Sequence, residues 1–388
     1  MTSPGDVDWS EMCPDAMQLI IESLSCSDFH RARTVCSKWY SVSKSCVAGL
    51  WNRYPWLILF RESSVSKPPT KLFTKFSDTN SCKLFDLREG KIYRKRCLGD
   101  KLSESRCLAS YGNWILMMNP SLDFYVLNVF TCERIDLPSL SLPGEVRFPR
   151  KDDARFLEQS WSCLDREMAV LWIDEKTKHF VVSLICDDKY LFSYKKGDDS
   201  WWRLEGTECL AMAHKDQKLC VYTSDHLIKI LDYSGDIPVE IIEENPYLNH
   251  PFYYDPKPWE YIWKRRLAIT TSGDVLIILS LKGVLEYQEK ILFYIFKMNL
   301  QGKEWERVDS LGNEILVFGD GITLAVASGK EEIRGGVIYF APDDVWPQAN
   351  FPSSPGVFDL ATTKIRWSPP RLIYRPPSIR FRWIVPRI

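Results

Sequence analysis

Apolar residues recur at helical spacing in one stretch near the front of the chain, residues 15–46, and after it they mostly alternate with polar ones. In "PDAMQLIIESL" Met17, Ile20, Ile21 and Leu24 share one side of a helix, and Leu19 adds apolar surface on another. Pro14 suits a first helical turn, where its missing N–H is not needed, and Asp15 puts a negative charge near the helix N-terminus. Phe29, Ala32 and Val35 give a second short helix its face, and Trp39, Val42 and Cys46 give a third. Three helices in about 35 residues bury little, so such a unit needs a partner or a neighbouring domain. Its surplus apolar surface reads either as a cap on the rest of the chain or as a docking face for another protein.

From residue 56 the pattern is that of strands. The run "WLILF" leads to a Ser/Pro-rich loop, "RESSVSKPPT", and then one unit recurs: strand, polar turn, strand. It appears as "KLFDLREGKIYRK", "YVLNVFTCERIDL", "LFSYKKGDDSWWRL", "KILDYSGDIPVEII", "YIFKMNLQGKEWERV" and "GVFDLATTKIRWSP". The units start near residues 85, 127, 192, 231, 296 and 358, a mean spacing of about 55, slightly above the period of propeller blades. Between them lies a second strand pair, as in "CLASYGNWILMMN", "EMAVLWIDEKTKHFVVSLIC", "QKLCVYTSDHLIKI" and "DVLIILSLKGVL". Two hairpins per unit make a four-stranded blade. The expected fold is therefore mostly β with a small N-terminal α module: three helices over 8–50, then a β-propeller of about six blades over 56–388. A pair of β-sandwiches is the alternative. The tail keeps the strand pattern to the end, and "WLILF" is the matching N-terminal strand for a blade that closes the ring.

Composition narrows the setting. The 388 residues carry a net charge of -1, so nothing draws the whole molecule toward nucleic acid or an anionic membrane. No stretch approaches the roughly 20 apolar residues of a membrane helix. The 12 Cys have no C-x-x-C pair, which speaks against zinc or redox spacings and for scattered buried thiols in the cytosol or nucleus. Five Arg and no acid in the last 18 residues read as a strand with one wet basic face rather than a nucleic-acid patch.

Motifs of known chemistry are missing: no nucleophile elbow, phosphate loop, zinc helix or calcium loop stands in the sequence. The acid pairs Asp152-Asp153, Asp187-Asp188, Asp198-Asp199 and Asp343-Asp344 sit beside turn residues, where Asp bonds its own backbone. No metal or cofactor is expected, and no catalytic residue is assigned. The loop "ENPYLNHPFYYDPKPWEYIW" offers Tyr247, Phe252, Tyr253, Tyr254 and Trp259 as candidate anchors for a target protein, or as packing onto the next blade. "DDVWPQANFPSSPG" is a plainer crossing between blades.

The helical stretch resembles an F-box: Pro14, Met17, Ile20, Leu24, Val35, Cys36 and Trp39 hold that family's positions, ending in its Arg-x-Val-Cys-x-x-Trp pattern. The resemblance implies docking on the Skp-family adaptor of a cullin ubiquitin ligase, through Pro14, Met17, Ile20 and Leu24, with Val35 and Trp39 shared between module core and interface. "YGNWILMMNP", "FYVLNVFTCERIDLP", "GGVIYFAPDD" and "GVFDLATTKI" resemble segments of plant F-box proteins with a KIB-type, kelch-related propeller. Together they imply a non-catalytic substrate receptor whose cullin and RING partners supply the ubiquitin chemistry. The rival reading is a propeller that binds a carbohydrate or metabolite, with the helices as a cap.

Overall fold

The computed structural model describes residues 11–24, 26–45, 55–61, 82–86, 91–95, 102, 105–119, 121, 123–140, 168–186, 190–205, 208–285, 288–319, 322–327, 335–341, 344–345, 355–367 and 379–386. Three helices come first: α1 (Pro14–Ser23), α2 (Cys26–Ala32) and α3 (Ser37–Ser45). Strands follow, and the described ones form six sheets.

The first blade joins both ends of the strand region: β1 (Trp56–Arg61), β2 (Cys82–Asp86), β3 (Lys91–Lys95) and, innermost, the last strand β25 (Ile379–Ile384). β25 runs antiparallel to β1, from Trp56 opposite Ile384 to Arg61 opposite Ile379. This is the closure the "WLILF" run predicts. That run has no polar alternation because both its faces are buried: Leu57 and Leu59 pack toward the sixth blade, and Trp56, Ile58 and Phe60 toward the second.

The next four blades follow one plan. They are β4 (Arg106–Tyr111), β5 (Trp114–Met118), β6 (Phe124–Asn128), β7 (Arg134–Asp136); β8 (Met168–Ile173), β9 (Phe180–Cys186), β10 (Tyr190–Lys195), β11 (Trp202–Glu205); β12 (Cys209–Lys215), β13 (Lys218–Thr223), β14 (Ile228–Asp232), β15 (Val239–Ile241); and β16 (Glu260–Ile269), β17 (Val275–Leu285), β18 (Gln288–Asn299), β19 (Glu304–Val308). The sixth departs from it. β20 (Glu314–Gly319), β21 (Ile322–Ala327), β22 (Val337–Phe340), β23 (Gly356–Asp359) and β24 (Lys364–Trp367) lie in the order β21-β20-β22-β23-β24, and β20 runs parallel to β22.

All six expected hairpins are the outer pairs of blades. Two of the expected inner pairs differ: "QKLCVYTSDHLIKI" is β13 with β14, and "DVLIILSLKGVL" is the single strand β17. The core is a ring of apolar seams between neighbouring blades rather than one ball. Polar ties cross the seams. Ser110 Oγ donates to Trp383 O at 2.5 Å, Arg382 Nε to Cys107 O at 3.2 Å, and Trp114 Nε1 to the Glu175 carboxylate at 3.2 Å. Arg382 is thus a buried seam residue, so the basic face expected on the last strand is not wet at this position. Arg371, Arg375 and Arg387 lie outside the described residues.

A repeated device closes the outer hairpins. Asn128, Asp232, Asn299 and Asp359 each end the strand next to a blade's outermost one, and each accepts backbone N–H bonds from residues two or three further on. A short side-chain oxygen placed there satisfies the turn's open donors and sets the register of the outer strand.

Candidate docking surfaces

The helical module is built on six buried apolar side chains: Met17, Ile21, Phe29, Ala32, Trp39 and Val42. Pro14 opens α1, with Met17 N–H bonding Cys13 O at 3.1 Å, and Asp15 lies in the first turn. Met17 is 0% exposed and Trp39 8%, whereas Leu19 is 70% and Val35 63% exposed. Met17, expected to face a partner, is instead the centre of the module. A core this small needs its one unbranched filler between three helices. Trp39 likewise packs inward, and Val35 falls in the turn after α2, outside the core. Ile20 and Leu24 are half-buried against that core, and Pro14 is exposed. The outward apolar residues are therefore Pro14, Leu19 and Val35, flanked by Ile20 and Leu24. Beside them the Arg33 guanidinium stands 5.7 Å from the Phe29 ring and 5.3 Å from that of Tyr40.

The aromatic loop over 244–259 is mostly a wedge between the fourth and fifth blades. Asn245 anchors its start, donating to Ile228 O at 2.8 Å and accepting Tyr247 N–H at 3.0 Å. Tyr247 is buried, accepts Val275 N–H through its hydroxyl and stacks on Trp305 at 5.7 Å. Phe252 is 2% exposed, with ring centroids 4.9 Å from Phe296 and 5.7 Å from Trp305. Tyr254 packs on Phe296 at 5.5 Å, and Trp259 is half-buried near Gly283. Only Tyr253 of the five expected anchors projects outward, 72% exposed.

The wedge ends on a polar knot. Glu260, buried at the start of β16, accepts the hydroxyls of Tyr254 at 2.5 Å and Tyr294 at 2.7 Å, and the Lys257 N–H at 3.1 Å. Burial opposes its charge, but those three donors outweigh it, so its carboxyl titrates below the usual range. Burial and the bond to Glu260 push the Tyr294 hydroxyl up to about 12 and raise that of Tyr254 further. The Arg307 guanidinium sits 3.7 Å from the Tyr294 ring centroid. The knot holds the loop rather than offering a reactive group.

The acid pairs do not form a joint site among the described residues. Asp198-Asp199 lies in the turn between β10 and β11, and Asp344 accepts Ala341 N–H at 2.8 Å. Asp152-Asp153, Asp187-Asp188 and Asp343 fall outside the described residues, as do residues 346–354. No group of three or more metal-ligating side chains occurs among the described residues.

Comparison with known proteins places both parts. The F-box domain family matches residues 9–49, and the KIB1-4 beta-propeller family matches residues 84–359. The F-box protein At2g33200 of Arabidopsis thaliana is 46% identical, over 93% of this chain and 93% of its own length. F-box only protein 7 from the same plant is 40% identical, over 98% and 94% of the two chains. The Arabidopsis F-box protein KIB4 is 35% identical, over 84% and 80%.

Proposed function

The chain belongs to the F-box proteins with a KIB1-4 β-propeller, and from that premise we propose that it is the substrate-recognition subunit of a Skp-cullin-F-box ubiquitin ligase, working in the cytosol or nucleus. The helices dock on the Skp-family adaptor, and the propeller holds a target protein. Cullin and RING subunits bring the charged ubiquitin carrier. The mechanism is proximity: tethering raises the effective concentration of target lysines near the carrier, and no side chain of this chain need react.

The observation that carries the reading is the helical module itself. It matches the F-box family and leaves Pro14, Leu19 and Val35 in water beside a core of six side chains. A module this small gains stability by covering such a surface. Pro14, Leu19, Ile20, Leu24 and Val35 make the adaptor face; Met17 and Trp39 hold the helices that present it. Co-purification with a Skp-family adaptor tests this. The wild type forms a stable complex, and Leu19→Asp with Val35→Asp does not while its circular dichroism is unchanged. Well-folded wild type that binds no adaptor would sink the proposal.

A further inference from the structure

The outermost strand of a blade is an open sheet edge, and natural edges are blunted with charged side chains. Four outer strands follow that rule. Their exposed positions include Arg134 and Asp136 on β7, Arg203 on β11, Glu304 and Glu306 on β19, and Lys364 and Arg366 on β24. β3 exposes Ile92, next to Lys91 in sequence. The fourth blade's edge breaks the rule. Around β15, Ile237, Val239 and Ile242 are 62–66% exposed, and its one central acid, Glu240, is paired with Lys229 at 3.6 Å.

The register shows where this apolar edge looks. Val239 lies opposite Asp232 and Ile241 opposite Ile230, so they share a sheet face with Ile230, which packs toward the seam with the fifth blade. Above that seam lies a groove of about 290 Å³, lined by Glu243, Glu244, His250, Met298 and Leu300, with Lys303 also on its wall. Leu300 is itself 58% exposed and extends the apolar strip across to the β18–β19 turn. In the groove Glu243 and Glu244 give the strip a negative border against Lys303, while Lys195 stands at its other end, donating to Gly235 O at 2.7 Å beside Asp236.

We infer that this rim, the β15 edge and the groove beside it, docks an extended peptide of a partner protein that is apolar at alternate positions and carries a run of lysine or arginine at the end that meets the groove. Such a peptide adds to an open edge as a further strand, its apolar side chains meeting Ile237 and Val239 on the side of the fifth blade, while the cations beyond the paired stretch reach Glu243 and Glu244 in the groove. That the peptide belongs to a ubiquitination target rests on the receptor reading above; the docking itself needs no adaptor.

Fluorescence anisotropy with the full chain tests it. The probe is a labelled synthetic peptide of about nine residues, valine alternating with threonine and then a run of lysine, beside a twin with glutamate for lysine. The lysine peptide binds saturably and the glutamate twin does not. Glu243→Lys/Glu244→Lys and, separately, Val239→Lys each weaken binding by about tenfold or more, with unchanged melting curves. Adaptor binding, measured on the same samples, stays intact in these variants, which separates failure here from failure of the receptor reading. Equal binding of the two peptides, or full affinity in either variant, overturns the inference. So does self-association of the chain that Val239→Lys abolishes, with no peptide bound, since the edge would then serve a second copy.

Discussion

Truncating Phe252 and Tyr253 to alanine, one at a time, separates a structural wedge from a contact surface. The two are sequence neighbours in a Pro-rich loop, yet Phe252 is 2% exposed and Tyr253 72%. The Phe252 ring lies 4.9 Å from Phe296, 5.7 Å from Trp305 and 6.4 Å from Tyr222, so its loss opens a cavity where two blades meet. The loop cannot collapse into the gap. Phe252 N–H stays bound to His226 O, and Trp305 Nε1 to His250 O. A Phe→Ala change in such a site costs about 3–5 kcal/mol, and the upper half applies where relaxation is blocked. Tyr253→Ala, which removes one edge contact with His226 at 5.5 Å, stays within about 0.5 kcal/mol of the parent. Urea unfolding followed by tryptophan fluorescence measures both, read as a midpoint shift at constant slope. Equal shifts, or a larger loss for Tyr253→Ala, would refute the assignment of Phe252 to the seam.

Other measurements bear on the remaining parts. Met17→Ala costs the helical module about 2–5 kcal/mol and abolishes adaptor binding through unfolding, seen as lost helical circular dichroism, whereas Leu19→Asp abolishes it with helix content intact. His214 is held between Trp172 and Tyr233 with ring nitrogens that find no hydrogen-bond partner among the described residues, and burial lowers its pKa from 6.5 to about 3. The unfolded chain thus binds the proton first. The stabilisation from a neutral His214 is complete above pH 6.5 and drains away toward pH 3, so the urea midpoint falls across that window and His214→Phe flattens the fall. Asn128→Ala removes two turn bonds and lowers stability by about 1–2 kcal/mol, while Asn128→Asp restores most of it; equal loss in both would refute the role of the side-chain oxygen.

The outer hairpins were legible because outermost strands such as β7, β19 and β24 alternate between half-buried and exposed positions, and a polar turn marks each hairpin. The Asn or Asp that ends the strand before the outermost one is visible in "KLFD", "YVLN", "KILD", "KMN" and "VFD", and aligning the units on it finds the repeat more sharply than spacing does. β17 misled for a physical reason. Both its faces are buried, so it lacks alternation, and Lys282-Gly283 imitates a turn. In the fold Lys282 pairs with Glu289 across the sheet, and Gly283 lets Trp259 and Leu292 approach, its Cβ position lying 3.0 Å from Leu292 Cδ1. Aromatic density in 244–263 left a contact surface and packing onto the next blade both open, and the fold makes it a wedge, because flat rings fill the diverging space between twisted sheets as well as they bind partners. On α1 the apolar residues occupy more than one side, and sequence alone did not say whether Met17 or Leu19 faced the other helices. Nor did it show the β21-β20-β22 order, where a strand pairs with one two places on in the chain.

The first blade has a consequence for biosynthesis. β1 emerges from the ribosome early, but its innermost neighbour, β25, is made on the order of 300 residues later, so this ladder is among the longest-range contacts a chain of this size can make. Until β25 is made, the nascent ring stays open, with an apolar β1 edge and the Trp383 seam unfilled. A stop codon ahead of β25 would leave the first blade without its innermost strand and its seam with the sixth blade open. Such copies would expose apolar edges, be sticky and short-lived, and become clients of quality control.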